Sequence, residues 1–267
     1  MLRYEVGFGV EFREAGGKFI HNFDSALELL EHKIAVILDM VEATLPPTLY
    51  LTQDSATASR HKEEYTPNFR DSIAITKPYK GNRPTEKPFH YHNLTEYMLS
   101  KYDCVMCRGL EADDVISIEQ NKEHEYETII CSRDKDLRIT PGWHFSWECG
   151  KSRSYGPHLV EPLGELQEPE KSKMFGTGLK FFYSQMLMGD PTDNSPGIPN
   201  KGCVAAYELL KDAESEEELF GKVSEVYKEY AGESWKAYFK EQADLLWMIQ
   251  ELDQDNNPIR YKLLDER

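Results

Sequence analysis

Short apolar runs that stop at acidic residues constrain this chain more than any other feature of it. TLYLTQD (48–54) reads as a strand that delivers Asp54 at its C-terminal end, and ETIICS (127–132) reads as a strand that runs into RDKDL. CVMCR (104–108) reads as a further short strand, and HFSWEC (144–149) as another. Between these runs the apolar spacing is helical. Residues 24–44 form one such segment, ended by Pro46 and Pro47; others cover 91–101 and the stretch opening at LEADDVISIE. From 174 to 188, and nearly everywhere from 203 onward, the pattern is again helical. Strands alternating with helices over the first two thirds predict an α/β fold, with a mostly parallel central sheet flanked by helices and a C-terminal helical region. Residues 55–90 have little apolar periodicity and several prolines, which predicts a long loop or irregular arch. Residues 150–173 show no clear core segment.

Ligands of open α/β sheets gather at the carboxyl ends of the strands, so the acids placed there are candidate ligands. Asp54 is the first. Glu111, Asp113 and Asp114 in GLEADDVI are the second group, Asp134 and Asp136 in CSRDKDL the third, and Asp190 and Asp193 in MGDPTDNSPG the fourth. Glu111 and Asp114 share a helical face, and Asp134 and Asp136 share a strand face if the strand continues. Converging carboxylates repel and raise one another's pKa. A hard divalent cation with oxygen ligands removes that conflict. Among 47 acidic residues chance clusters are common, and EADD alone serves equally as an ordinary acidic helix start. The order and context of all four groups carry the reading.

Composition sets limits around it. The net charge is −16, which argues against general nucleic-acid binding, because phosphate contacts need Lys and Arg. A local basic strip over 60–87 (Arg60, Lys62, Arg70, Lys77, Lys80, Arg83 and Lys87) is still compatible with gripping one backbone. The five cysteines include one CxxC, Cys104 and Cys107, with no second pair to complete a zinc site. Buried thiols in a reducing cytoplasm are expected. No apolar run reaches the roughly 18 residues that span a membrane, and the N-terminus lacks a signal-peptide layout.

GLEADDVI, CSRDKDL and GDPTDNSPGIPNKG, in that order and spacing, resemble the flap endonuclease/5′-3′ exonuclease family, in its phage-type form, from about Leu49 to about Gln254. The resemblance implies a PIN-like nuclease domain over 1–185, with the arch at 55–90, and a helix-hairpin-helix DNA-binding and helical region over 186–267. It implies two-metal hydrolysis of DNA phosphodiester bonds with Mg²⁺ or Mn²⁺, two ions per site. Asp54, Glu111 and Asp113 would serve the first ion; Asp134, Asp136, Asp190 and Asp193 would serve the second, with Asp114 between them. PYKGNR (78–83) resembles the family's arch motif, so Lys80 and Arg83 would contact the scissile phosphate, Arg60 would assist, and Tyr79 would stack on a base. NSPGIPNKG resembles the family's hairpin, with Gly197, Ile198, Pro199 and Gly202 letting backbone N–H groups approach a phosphate and a monovalent cation bound there. Asn200 stands where glycine is more usual. The implied partners are DNA with 5′ ends or flaps and RNA–DNA hybrids, in the cytoplasm of the cell or host, with no membrane.

One departure matters. Family members open with a strand ending in Asp, whereas this sequence opens MLRYEVGFG, in which Leu2 and Tyr4 resemble the residues that follow that Asp. Glu5 and Glu11 lie on the wrong side of the motif. The resemblance therefore implies a strand and carboxylate upstream of Met1. The rival readings are a catalytically impaired DNA-binding member of the family and a PIN-like ribonuclease.

Overall fold

The computed structural model describes residues 1–8, 11–13, 19–82, 86–171 and 173–264. The chain opens with a short helix, α1 (Leu2–Val6), and a two-stranded antiparallel ribbon, β1 (Glu11–Arg13) and β2 (Phe19–His21). Helix α2 (Phe23–Met40) starts where Asn22 accepts the Asp24 and Ser25 N–H groups at 2.9 and 3.3 Å, satisfying two of the donors a helix start leaves open. Strand β3 (Thr48–Thr52) follows, then α3 (Ser55–His61), α4 (Phe69–Ile73) and α5 (Tyr91–Lys101), before β4 (Asp103–Cys107) pairs parallel with β3. Helix α6 (Ala112–Gln120), β5 (Ile129–Cys131), a 3-10 turn (Asp136–Ile139), β6 (Gly142–Ser146) and β7 (Tyr155–Val160) come next. β5 and β6 pair parallel, and β7 closes that sheet antiparallel. A hairpin, β8 (Leu166–Glu170) and β9 (Lys173–Gly176), leads into α7 (Gly178–Met188), α8 (Cys203–Leu210), α9 (Glu216–Ala231) and α10 (Trp235–Leu246).

The expected strands and the parallel pairings are present, but one continuous central sheet is not. The described strands form four separate ladders: β1–β2, β3–β4, β5–β6–β7 and β8–β9. The parallel strands are only three to five residues long. Three further expectations need correction. The 55–90 segment carries two short helices held by caps rather than by apolar periodicity: Asp54 accepts the Thr57 N–H at 2.7 Å and Asn68 the Arg70 N–H at 2.8 Å. Residues 155–176 hold three strands that no apolar alternation announced, because most positions of β7 and β8 face solvent. Pro157 and Pro169 lie in these strands where the ladders shift register. After Leu246 no α-helix continues among the described residues. No helix is long and apolar enough to cross a membrane.

The two larger of four apolar clusters among the described residues hold most of these parts. Ala26, Leu30 and Ile34 of α2 pack with Leu51 of β3 and with Leu94 and Met98 of α5. In the larger core, Phe181, Phe182, Tyr183, Met186 and Leu187 of α7 meet Leu210, Leu219, Val223, Tyr227, Phe239 and Tyr261. α7 is thus sheathed by α8, α9 and α10, and residue 185 lies inside it. The Tyr227 hydroxyl reaches across to donate to the Met186 carbonyl at 2.7 Å, one of the acceptors that the last turn of α7 leaves open. Tyr227→Phe should lower unfolding stability by about 1 kcal/mol, read as a shift of the urea midpoint at unchanged slope; an unchanged midpoint would mean the carbonyl finds another donor.

Candidate active site

Helix α6 begins at Glu111 and is anchored by its next turn. Asp114 is 1% exposed, and both of its oxygens receive the Arg70 guanidinium, at 2.6 and 2.8 Å. The same guanidinium donates to the carbonyls of Leu245 (3.1 Å) and Trp247 (2.7 Å), while the Ile249 N–H donates to Asp114 at 3.1 Å. Asp114 also accepts the Glu111 N–H at 3.3 Å. Asp114, expected among the metal ligands, here spends its lone pairs in binding the 55–90 segment and the segment after α10 to the start of α6. Arg70 stood out in the sequence only as one member of a basic strip, and no local pattern singles it out.

Around that anchor, Glu111, Asp113, Asp134, Asp136 and Asp193 line one cleft together with Tyr79 and Lys80. The 78–82 segment is pinned there by backbone groups. Lys80 N–H donates to Asp193 O at 3.1 Å, Asn194 Nδ2 to Pro78 O at 2.9 Å, and Asn82 Nδ2 to Pro191 O at 2.7 Å. Lys80 adopts a left-handed φ of 52°, which turns its ammonium group onto both oxygens of Glu111. Tyr79 OH donates to Glu111 at 3.0 Å and to Asp193 at 3.4 Å. Deeper in, Lys135 bridges Asp136 (2.8 Å) and Asp190 (2.7 Å), Asp190 accepts the Thr192 N–H at 2.7 Å, and Gln185 of α7 donates to Asp136 at 2.6 Å. Among the described residues, no three His, Cys, Asp or Glu side chains form a metal-holding group. Two ammonium groups stand between the carboxylates instead.

The carboxylates divide into two kinds. Burial would raise Glu111, but Lys80 and then Arg70 hold it below the usual range, and Lys135 does the same for Asp190. Asp113 is pushed up to about 8, first by burial and then by Asp134 and Glu111; Asp134 is pushed up to about 6 by burial and Asp136. The donor set fits a hard divalent cation. It is all oxygen, Asp113 and Asp134 make no ion pair among the described residues, and the buried Gln185 Oε1 beside Asp136 has no partner.

Other expected residues lie elsewhere. Asp54 does not line the cleft: it caps α3, with Lys87 at 3.8 Å. Asp190 lies beneath the cleft, 3% exposed. Arg60 is exposed at the end of α3, and Arg83 falls outside the described residues. At the turn after α7, a Cβ on Gly197 would come within 2.2 Å of the Gly189 nitrogen, and φ at Gly197 is 61°, so glycine is required there. The Gly197 N–H donates to Gln242 at 3.4 Å and the Ile198 N–H to Leu187 O at 2.8 Å. This corrects the expectation that those two groups face a phosphate; Pro199, Asn200 and Gly202 are exposed. Cys104 and Cys107 are free thiols, raised by burial to about 11 and about 12; Cys107 is buried as expected, whereas Cys104 is only partly so.

No family model matches the chain. Among curated proteins it is 30% identical over 171 residues to a 5′-3′ exonuclease of Buchnera aphidicola, covering 60% of this chain and 51% of the relative. It is also 30% identical over 185 residues to DNA polymerase I of Bacillus subtilis, covering 66% of this chain and 20% of the relative. The chain spans about half the length of the first relative and a fifth of the second. Among solved structures, the bacteriophage T5 D15 flap endonuclease, in a pseudo-enzyme–product complex with DNA and metal ions, aligns at a TM-score of 0.49 and 16% identity, covering 82% of this chain and 90% of that one. The resemblance read from the motifs is borne out by the curated relatives, which are named 5′-3′ exonuclease and DNA polymerase I.

The raised carboxyls have a measurable consequence. Asp113 keeps its proton in the folded chain where the unfolded chain, with an ordinary value of 3.8, has lost it. Its contribution to stability is therefore present at acid pH and fades as pH climbs toward 8. A cation must displace that proton, so divalent binding at neutral pH should release protons, and affinity should rise between about pH 6 and 8. Calorimetry of Mn²⁺ binding in buffers of different ionisation enthalpy reads this directly; equal heats in every buffer would show Asp113 already ionised.

Proposed function

We propose that the chain is a structure-selective 5′-3′ exonuclease/flap endonuclease that hydrolyses DNA phosphodiester bonds. The observation that carries this reading is the cleft itself, where the tip of the 55–90 segment brings Lys80 and Tyr79 onto the carboxylates of Glu111, Asp113, Asp134, Asp136 and Asp193. The names of the relatives support it.

Glu111, Asp113, Asp134, Asp136 and Asp193 would hold Mg²⁺ or Mn²⁺, two ions in all; Asp190 is a reserve ligand behind Lys135. When bound, such cations supply charge neutralisation and an activated water. The chain's own side chains do the rest. Tyr79 orients Glu111 and is itself within reach of Asp193. Lys80, once its ammonium is freed from Glu111, is placed to meet the phosphate and the charge that develops on it. Arg70 keeps α6, and with it Glu111 and Asp113, in register with the arch. Net charge repels nucleic acid at long range, so grip on the strand is local, through Lys80, Arg83, Arg60 and the exposed turn at 199–202, which would act as the hairpin with its monovalent cation. DNA with 5′ ends or flaps is the favoured substrate, with RNA–DNA hybrids a second.

Two variants test this on a 5′-flap duplex in Mg²⁺, beside a single-stranded RNA control. Asp134→Asn with Asp136→Asn should abolish cleavage while DNA affinity stays the same or rises, because repulsion of the phosphate is reduced; cleavage at the wild-type rate would remove these residues from the chemistry. Lys80→Ala should lower turnover far more than affinity, since its contact strengthens in the transition state. A loss of affinity at unchanged turnover would recast Lys80 as an anchor, and cleavage of the RNA alone would favour the ribonuclease reading.

A further inference from the structure

A second pocket lies behind the carboxylate cleft, between the 3-10 turn that starts at Asp136, β7 and the β8–β9 hairpin. Arg138, in that turn, stacks its guanidinium over the Tyr155 ring, with Cζ 3.8 Å from the ring centroid. Among the described residues no hydrogen bond or ion pair engages this guanidinium. The Tyr155 hydroxyl is buried and has no partner either. Both groups line one pocket with Glu165, Gln167, Phe175 and Thr177. Thr177 is 5% exposed, and its hydroxyl oxygen accepts the Glu165 N–H at 3.1 Å, which leaves its proton as a further donor.

Polar groups taken out of water without partners are costly and rare in folded chains. Here the buried phenol hydroxyl of Tyr155 is such a group, and the half-buried guanidinium of Arg138 stands on the same concave surface without a protein partner among the described residues. Stacking on an aromatic ring pre-orients the guanidinium fork for planar oxygen acceptors. An acceptor-only anion that takes several hydrogen bonds at once answers this donor set, and a phosphate group does so best. Glu165 makes no ion pair with Arg138 and is exposed at the rim, so its charge is screened by water, though it opposes an anion.

We propose that this pocket is a phosphate subsite, in which Arg138 and the Tyr155 hydroxyl hold one phosphate of a nucleic-acid strand passing the carboxylate cleft. The identity of the ligand as nucleic acid rests on the nuclease reading above. The pocket's donors do not. The phosphate is either a backbone diester of the bound strand or a free phosphate, and the two sources separate experimentally.

Binding of a 3′-labelled single-stranded DNA is measured by fluorescence anisotropy in EDTA, across a NaCl series, with wild type, Arg138→Met, Arg138→Lys, Tyr155→Phe and Glu165→Gln. For a backbone contact, Arg138→Met should make the slope of log K against log salt shallower by about 0.7, the value for one single-strand phosphate. Arg138→Lys should keep the slope and bind more weakly. Tyr155→Phe should weaken binding several-fold at unchanged slope, and Glu165→Gln should strengthen it. In parallel, the melting temperature is followed with inorganic phosphate. A phosphate-dependent rise in wild type that Arg138→Met abolishes, with the DNA slope unchanged, identifies the free anion as ligand. If neither the slope nor the phosphate effect responds in variants that melt as wild type does, the subsite is refuted. Mg²⁺-dependent cleavage with no such response sinks this inference alone; a shallower slope without any cleavage sinks the nuclease reading alone.

Discussion

The rest of the molecule depends on one buried ion pair. Arg70 and Asp114 are 3% and 1% exposed, and their fork-to-fork geometry gathers three stretches of chain: the segment between β3 and β4, the first turn of α6, and the strap 245–249 that leaves α10. A pair this deep is a weak source of net stability, since desolvation cancels most of its attraction, but leaving either partner alone typically costs about 3–5 kcal/mol. Its role is therefore positional. Glu111 and Asp113 project from the turn that Asp114 secures, and Tyr79 and Lys80 follow the helix that carries Arg70, so this contact, together with the hydrogen bonds from 78–82 to 191–194, sets the distance between the acidic floor and the basic arm over it.

That arm and floor form an electrostatic balance. Lys80 satisfies Glu111 while Lys135 satisfies Asp136 and Asp190, leaving Asp113, pushed up to about 8, to hold its proton at neutral pH beside Asp134, which is pushed up to about 6. A chain with a net charge of −16 thus concentrates its acids in one place without the local repulsion that would open the cleft. The arrangement favours incoming positive charge at the centre and tolerates a phosphate only beside the lysine, a polarity the total charge would not lead one to expect.

Much of this was legible in the residues. β3, β4, α5 and α6 follow from apolar spacing, and Glu111, Asp113, Asp134 and Asp136 converge as their positions at element ends predict. What escaped did so for physical reasons. Asp114 and Asp113 are adjacent and chemically alike and line the same cleft; only the tertiary approach of Arg70 separates the carboxylate spent in an ion pair from the one left without one. Asp54 ends a strand as expected but is spent on capping α3. β7 to β9 are solvent-facing on most positions, so no alternation marks them. The turn at Gly197 was correctly read as glycine-dependent, but the reason is a close backbone approach to Gly189, with its N–H turned inward to Gln242.

The two prolines of the outer strands bear on how the protein behaves in a crowded solution. A strand at the border of a ladder offers a row of unsatisfied N–H and C=O groups that another molecule can zip onto. Pro157 in β7 and Pro169 in β8 have no N–H to offer and sit where pairing already slips. A neighbouring chain that docked there would meet a gap within a residue or two and could not propagate its pairing. The short, polar, interrupted strands that made this region unreadable from sequence are the same property that keeps it from recruiting copies of itself.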